Sequence, residues 1–267
     1  MTLSHPARRS ILPVPLSVPG REPAPVLGHL HSVETGAAAD GPGVRFVYFL
    51  AGCPFRCLYC HNPDTWKFSS GRPVTIEEAL AELRPYAGFL RRVGGLTLSG
   101  GEPLTQPAFA HALLTAAHDD LGLHTALDTQ GFLGHKVDDA FFEAVDLVLL
   151  DVKHSDPERH RALTGRALAP TIDFARRLVR LGKPMWIRHV LVPGWTDDAA
   201  HLDRLADLLL SFGPAVERVD VLPYHRMGAH KWAELGRPYA LADVEPPSSD
   251  MLAAAVARLR ARGLPAV

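Results

Sequence analysis

The chain has three cysteines, and all of them fall in one short stretch, Cys53-Pro-Phe-Arg-Cys57-Leu-Tyr-Cys60-His61-Asn62. Such spacing lets the three sulfurs converge within a single loop. Three thiolates can hold an iron–sulfur cluster by three of its corners. Four-iron clusters ordinarily take four cysteines, so three leave one iron without a protein ligand. An open coordination position is what separates a catalytic metal site from a closed structural one. The competing reading is a zinc site completed by His61. Adjacent Cys60 and His61 rarely both reach one tetrahedral ion, and no second Cys/His pair at zinc-finger spacing occurs. Buried cysteines that serve only as small hydrophobes would not concentrate in one loop. An odd count there suits metal or redox chemistry better than a disulfide.

What surrounds this loop is an alternation of apolar runs and helical patterns. Residues 46–50 read Phe-Val-Tyr-Phe-Leu, a continuous apolar run of the kind that forms a buried parallel strand. Further strands are expected at 96–98, 124–127, 146–150, 185–192 and 219–222. Residues 27–32 read as a short edge strand. Thr75-Ile-Glu-Glu78 is a capping box, and its helix is expected to run to about Arg84, where Pro85 ends or kinks it. Helices are also expected at 109–117, 171–181, 198–212 and 248–262. Strands alternating with helices argue for a parallel sheet with helices outside it. Six units fall short of a closed eight-fold barrel. The expectation is an α/β fold, a partial (β/α)6 barrel, over residues 27–267 as one domain. Residues 1–26 hold six prolines and read as an arm without regular structure.

Composition excludes several classes. At 267 residues, 47% hydrophobic and 21% charged, the chain is globular. Net charge is −1 with no basic run, which argues against nucleic acid as a partner. No apolar run approaches the ~20 residues of a membrane span. The start of the sequence lacks the apolar region of a signal peptide. A cytoplasmic monomer is expected.

Chemistry-bearing residues gather after strand ends, where α/β folds place their sites. Ser99-Gly100-Gly101-Glu102-Pro103 follows one strand, Asp128-Thr129-Gln130-Gly131 the next, and Asp151-Val152-Lys153 the next. Glycines there mark either a tight turn or a backbone approaching a ligand. The two aspartates are either helix caps or oxygen ligands for a hard cation. Arg188 lies in an otherwise apolar strand. A lone arginine there is either an edge residue or a fork-shaped donor for a carboxylate. His225 follows the last strand.

Cys-x3-Cys-x2-Cys with the aromatic Tyr59 before the last cysteine resembles the signature of radical S-adenosylmethionine (SAM) enzymes. Asp40-Gly-Pro-Gly-Val-Arg45, the cysteine loop and Pro223-Tyr-His-Arg-Met-Gly-Ala-His-Lys-Trp232 together resemble the glycyl-radical activating enzymes, and among them the activases of pyruvate formate-lyase. The resemblance runs from about Leu27 to the C-terminus. It implies the radical SAM type of partial barrel and a 4Fe–4S cluster on Cys53, Cys57 and Cys60. Reductive cleavage of SAM at that cluster would generate a glycyl radical on pyruvate formate-lyase, as part of anaerobic metabolism. It further implies that Tyr59, Gly100, Gly101, Glu102, Asp151, Val152, Lys153, Arg188 and His225 bind SAM. A monovalent cation (sodium or potassium) would sit on Asp128, Thr129, the Leu149 carbonyl and Asp151. Asp40, His61 and Asn62 would meet the partner's glycine loop, and a flavodoxin-like protein would donate electrons, since no second cluster motif exists. Family members commonly carry asparagine where this chain has Gln130, one methylene longer. Two alternatives remain open at this level: an activase of another glycyl-radical enzyme or other radical SAM enzyme acting on a peptide or a small molecule, and a non-enzymatic zinc protein.

Overall fold

The computed structural model describes residues 25–267, so the proline-rich arm expected over 1–26 lies almost wholly outside the described residues. One eight-stranded sheet organises them. Its strands are β1 (Leu27–Ala37), β2 (Val44–Leu50), β3 (Arg72–Thr75), β4 (Gly94–Gly100), β5 (His124–Thr129), β6 (Leu147–Asp151), β7 (Met185–Leu191) and β8 (Val216–Pro223), in the order β3-β1-β2-β4-β5-β6-β7-β8. The six strands from β2 through β8, leaving out β3, are parallel and match the six expected apolar runs. β1 and β3 add antiparallel strands at one side. The sheet does not close, so the barrel is partial. At the β8 edge the C-terminal residues pair with the strand: Val221 N–H donates to the Val267 carbonyl and Val219 N–H to the Pro265 carbonyl, both at 3.0 Å. This covers an edge that would otherwise present unpaired backbone groups.

The helices are α1 (Ile76–Val93), α2 (Pro107–Thr115), α3 (Pro157–Thr164), α4 (Ala169–Arg180), α5 (Ala199–Leu210), α6 (Ala229–Glu234) and α7 (Ser249–Ala261). The capping box at Thr75 and Glu78 forms, with both reciprocal bonds present. α1 does not stop at Pro85 but continues through it to Val93. Leu83, Ala87 and Leu90 lie buried on its inner face, while Pro85 is exposed. Burial of that stripe outweighs the ~3 kcal/mol cost of an internal proline. Ala81, whose carbonyl Pro85 leaves without its helical partner, is an exposed residue, so water can answer it.

Strand alternation decides what faces the concave side. Phe46, Tyr48, Leu50, Leu96, Leu98, Leu127, Val148, Leu150, Ile187, Val219 and Val221 join the core between sheet and helices. The intervening positions Phe49, Ser99, Asp128, Asp151, Arg188 and Leu222 line a cavity on the other face. The two-residue period of a strand does this without further instruction. Lower in the barrel the concave face is plugged by Ala126, Leu147 and Leu149 with Trp186, and Arg45 lies fully buried with its Nε donating to Thr97 Oγ1 at 2.9 Å. Most residues that line the polar cavity lie at or just after the C-terminal ends of the strands. No helix among the described residues is long and apolar enough to cross a membrane.

Candidate active site

The cysteine loop leaves the end of β2 and is clamped from three directions. Gly52 N–H donates to Thr65 O at 2.7 Å. Arg56 N–H and Leu58 N–H donate to Thr164 O and Leu163 O, at 2.8 and 3.0 Å, which ties the loop to the end of α3. The Trp232 indole on α6 donates to Cys60 O at 2.9 Å. The short helices α3 and α6, which the sequence patterning did not foresee, are thus the braces of this loop.

Cys53, Cys57 and Cys60 all line the same cavity, of about 460 Å³. Burial pushes all three thiols up, Cys53 to about 12. A cluster or metal binding there must displace those protons. Among the described residues, no three His, Cys, Asp or Glu side chains converge on a point suited to a single ion. His61 Nε2 lies 3.1 Å from the His225 carbonyl, so the fourth ligand of the zinc reading is engaged elsewhere. Three thiols lining one cavity suit the three protein corners of a four-iron cluster.

The glycines at the end of β4 are required by close approach. A Cβ on Gly100 (φ +120) would lie 2.2 Å from Leu50 N, and one on Gly101 would lie 2.4 Å from Gly52 O. Gly101 N–H also donates to Leu50 O at 2.8 Å. This pair lets β4 press its backbone against the cysteine loop, and both glycines line the cavity. Glu102 does not. Its carboxylate is fully buried and accepts from Leu104 N–H at 2.9 Å, Thr129 Oγ1 at 2.7 and 2.8 Å and Gln130 N–H at 3.1 Å. Burial raises it to about 7, against the pull of those donors. Its place is beneath the cavity wall, holding the β4 and β5 ends together.

Of the other expected residues, Asp40, Tyr59, His61, Asn62, Asp128, Asp151, Lys153, Arg188 and His225 line the cavity. Thr129, Leu149 and Val152 are buried outside its lining. The Thr129 hydroxyl is spent on Glu102. Arg188 Nη1 donates to Asp40 at 3.3 Å and to Asp128 at 3.0 Å, and Asp128 Oδ2 also accepts from Ser99 Oγ at 2.6 Å. Asp128, then Asp151 and Asp40, hold the guanidinium firmly charged against the effect of burial. Lys153 Nζ pairs with Asp151 at 2.7 Å. Burial alone would lower that ammonium, and the surroundings led by Asp151 outweigh it and raise it. His61 and His225 pack with ring centroids 3.7 Å apart, and burial lowers both. Asn62 Oδ1 accepts from Lys231 Nζ at 2.8 Å, so the 223–232 string reaches back to the cysteine loop.

The fixed charges on the wall are three carboxylates, Asp40, Asp128 and Asp151, against two cations, Arg188 and Lys153. That balance favours a ligand carrying positive charge. Tyr59 OH, Asp128 Oδ1, Gln130 Oε1 and His225 Nδ1 are buried there without a partner. Such atoms are rare in a finished interior and are what a polar ligand would answer. The residues present therefore fit a cluster together with a cationic, polar cosubstrate. Sequence reasoning missed Ser99, Trp66 and the side chain of Gln130. Strand alternation from Leu98 could have placed Ser99.

Residues 47–206 match the radical SAM superfamily, and the chain belongs to it. Membership implies a 4Fe–4S cluster and SAM as cofactors. Similarity over most of the chain is more specific. The pyruvate formate-lyase-activating enzyme of Staphylococcus aureus (strain USA300) is 44% identical over 244 residues, covering 88% of this chain and 96% of that protein. Within the superfamily, the chain belongs with the pyruvate formate-lyase-activating enzymes. Among solved structures, a domain of pyruvate-formate lyase-activating enzyme from Bacteroides vulgatus ATCC 8482 superposes with a TM-score of 0.53 at 25% identity, over 65% of this chain and 98% of that one. A radical SAM methyltransferase from Sphaerobacter thermophilus shares the fold with a TM-score of 0.61 at 21% identity, over 84% of this chain and 65% of that one.

Proposed function

We propose that this enzyme activates pyruvate formate-lyase by generating a glycyl radical on it. The observation that carries the reading is the convergence of Cys53, Cys57 and Cys60 with Gly100, Gly101, Asp151, Lys153, Arg188 and His225 on one cavity at the strand ends. Bound there, a 4Fe–4S cluster with SAM supplies one-electron cleavage of the sulfonium and hydrogen abstraction from a partner glycine. The protein orients these groups and shields them from quenchers.

Cys53, Cys57 and Cys60 hold the cluster. Gly100 and Gly101 offer backbone groups to the amino end of SAM, while Glu102 acts at one remove by fixing that turn. Both contacts of Arg188 to carboxylates use Nη1, which leaves the rest of its fork for the SAM carboxylate. Lys153, steered by Asp151, and the Val152 backbone between them complete that wall. Tyr59 and His225 flank the nucleoside side. Asp40, His61 and Asn62 stand at the rim, where the partner's glycine loop enters for the near-contact that hydrogen abstraction requires. The unpartnered Asp128 Oδ1 supports a monovalent cation held with Asp151, to which Thr129 and Leu149 would contribute backbone carbonyls. A flavodoxin-like donor, a monomeric state and a cytoplasmic location complete the reading, with residues 27–267 acting as one domain.

Anaerobic incubation of the reconstituted enzyme with pyruvate formate-lyase, SAM and a reductant tests this. A glycyl radical signal on the lyase by electron paramagnetic resonance is the expected result. SAM cleavage to methionine without that signal would reject this partner.

A further inference from the structure

Gln130 stands out in the cavity because it reaches the cluster ligands without being one. Its side-chain Nε2 lies 3.3 Å from Cys53 Sγ. A cysteine sulfur bound to iron can accept a hydrogen bond and has none to donate, so the amide must present its NH2 to it. We propose that Gln130 sets the reduction potential of the cluster through this N–H···S bond, a role that rests on the cluster reading above.

The rest of the residue is built to hold that donor still. Gln130 N–H donates to Glu102 Oε2 at 3.1 Å, and its carbonyl accepts from Thr171 Oγ1 at 2.7 Å. Gly131 follows at φ +68, and its N–H donates to Thr129 Oγ1 at 2.9 Å. The backbone is therefore pinned on both sides of the side chain, and the amide does not have to be ordered at the moment of reduction. The Oε1 atom is buried without a partner. An unanswered buried acceptor costs stability, and the side chain keeps this orientation with its NH2 on the sulfur.

Reduction adds negative charge to the cluster and its thiolates. A hydrogen bond to a ligating sulfur favours the more negative form and so raises the potential. Gln130 is one of several donors on these sulfurs. The Phe55 backbone serves Cys53, while the Asn62 backbone and the Trp66 side chain serve Cys60. The Gln130 amide is the donor on Cys53 that substitution can remove without touching the loop's own backbone. With the backbone fixed, asparagine is shorter by about one carbon–carbon bond, ~1.5 Å, and falls short of the sulfur.

The test is an anaerobic redox titration of the reconstituted enzyme, followed by electron paramagnetic resonance of the reduced cluster. Gln130→Leu and Gln130→Asn are compared with the parent at equal iron content. Both variants are expected to be harder to reduce. The ratio of reduced to oxidised cluster at a fixed potential should fall by about tenfold, the scale of one hydrogen bond, equal to ~59 mV for one electron. Gln130→Glu, with no donor and a negative charge in its ionised form, should fall further. A Gln130→Leu or Gln130→Asn cluster with full iron and the parent's potential overturns the inference and leaves the function reading intact. A parent protein that holds no four-iron cluster overturns the function reading itself.

Discussion

His189 Nδ1 lies 2.8 Å from the carbonyl oxygen of Val152, deep beneath the cavity wall. The carbonyl can only accept, so this ring nitrogen carries the proton. The other nitrogen, Nε2, is then an acceptor in the neutral ring, and His201 Nε2 lies 3.3 Å from it. His201 must donate there, which leaves its Nδ1 to accept from Ser155 Oγ at 3.0 Å. One directional chain, Ser155 to His201 to His189 to Val152, fixes the Val152–Lys153 peptide.

Replacing His189 by leucine removes both ends of its contact. The Val152 carbonyl and the His201 N–H are left buried without partners. Each costs about 1–3 kcal/mol, so the variant should lose roughly 2–6 kcal/mol of stability by urea unfolding. His189→Asn keeps a donor near the Nδ1 position and is expected to recover part of the loss. Equal stability of the leucine variant and the parent would show that the chain of rings carries no load.

The same rings make a pH prediction. Burial holds His189 down from 6.5 to about 4. The unfolded chain then binds the proton first, so stability present above pH 6.5 is lost as pH falls toward 4, by about 3 kcal/mol at ~1.4 kcal/mol per unit. Glu102 acts the other way. Its carboxyl is raised by burial from 4.5 to about 7, so stability present below pH 4.5 is lost as pH rises through 7, again by about 3 kcal/mol. Between these limits the two slopes oppose each other. His201, pushed down to about 2 by burial and then by His189 and His154, tips the balance toward acid lability. Urea midpoints from pH 4.5 to 7.5 should therefore fall more steeply with acid in Glu102→Gln and less steeply in His189→Leu.

Much of this was legible because parallel strands write themselves as apolar runs, as in Phe46 to Leu50 and Leu147 to Leu150. Cys53, Cys57 and Cys60 are neighbours in sequence, so their meeting required no knowledge of the fold. Arg188, Asp151 and His225 were placed by their positions after or within strands. What stayed hidden depends on contacts between distant segments. Nothing local tells that Glu102 turns inward to Thr129 instead of into the cavity. Nothing local tells that three histidines from β7, α5 and the turn after β6 stack together, with His154 and His201 centroids 3.9 Å apart. Pro85 misled for a related reason, since the burial that carries α1 past it comes from the sheet.

Each cysteine can be tested alone. Cysteine to alanine removes a small side chain, and the loop keeps its backbone ties to Thr65, Leu163 and Thr164. The fold should therefore survive in Cys53→Ala, Cys57→Ala and Cys60→Ala, with unchanged far-ultraviolet circular dichroism. Iron and sulfide after anaerobic reconstitution should drop to background, and SAM cleavage should vanish with them. A single variant that retains four irons and cleaves SAM would exclude that cysteine as a ligand.

Arg188 separates charge from geometry. Its Nη1 lies on both Asp40 and Asp128, and those side chains are largely buried. Arg188→Leu leaves two carboxylates facing each other without a cation, and breaking a buried pair from one side costs about 3–5 kcal/mol. That variant should unfold at lower urea whatever the residue does for SAM. Arg188→Lys keeps a positive charge between the carboxylates but gives up the planar fork. Its stability should stay within about 1 kcal/mol of the parent, since one point charge still serves both aspartates. Its affinity for SAM should nevertheless fall about tenfold, because the donors left over for a ligand carboxylate are the ones an ammonium lacks. Calorimetric titration of SAM into the reconstituted lysine variant decides the matter. Parent-like affinity there would mean that Arg188 only neutralises its aspartates, and that the SAM carboxylate is held by other groups.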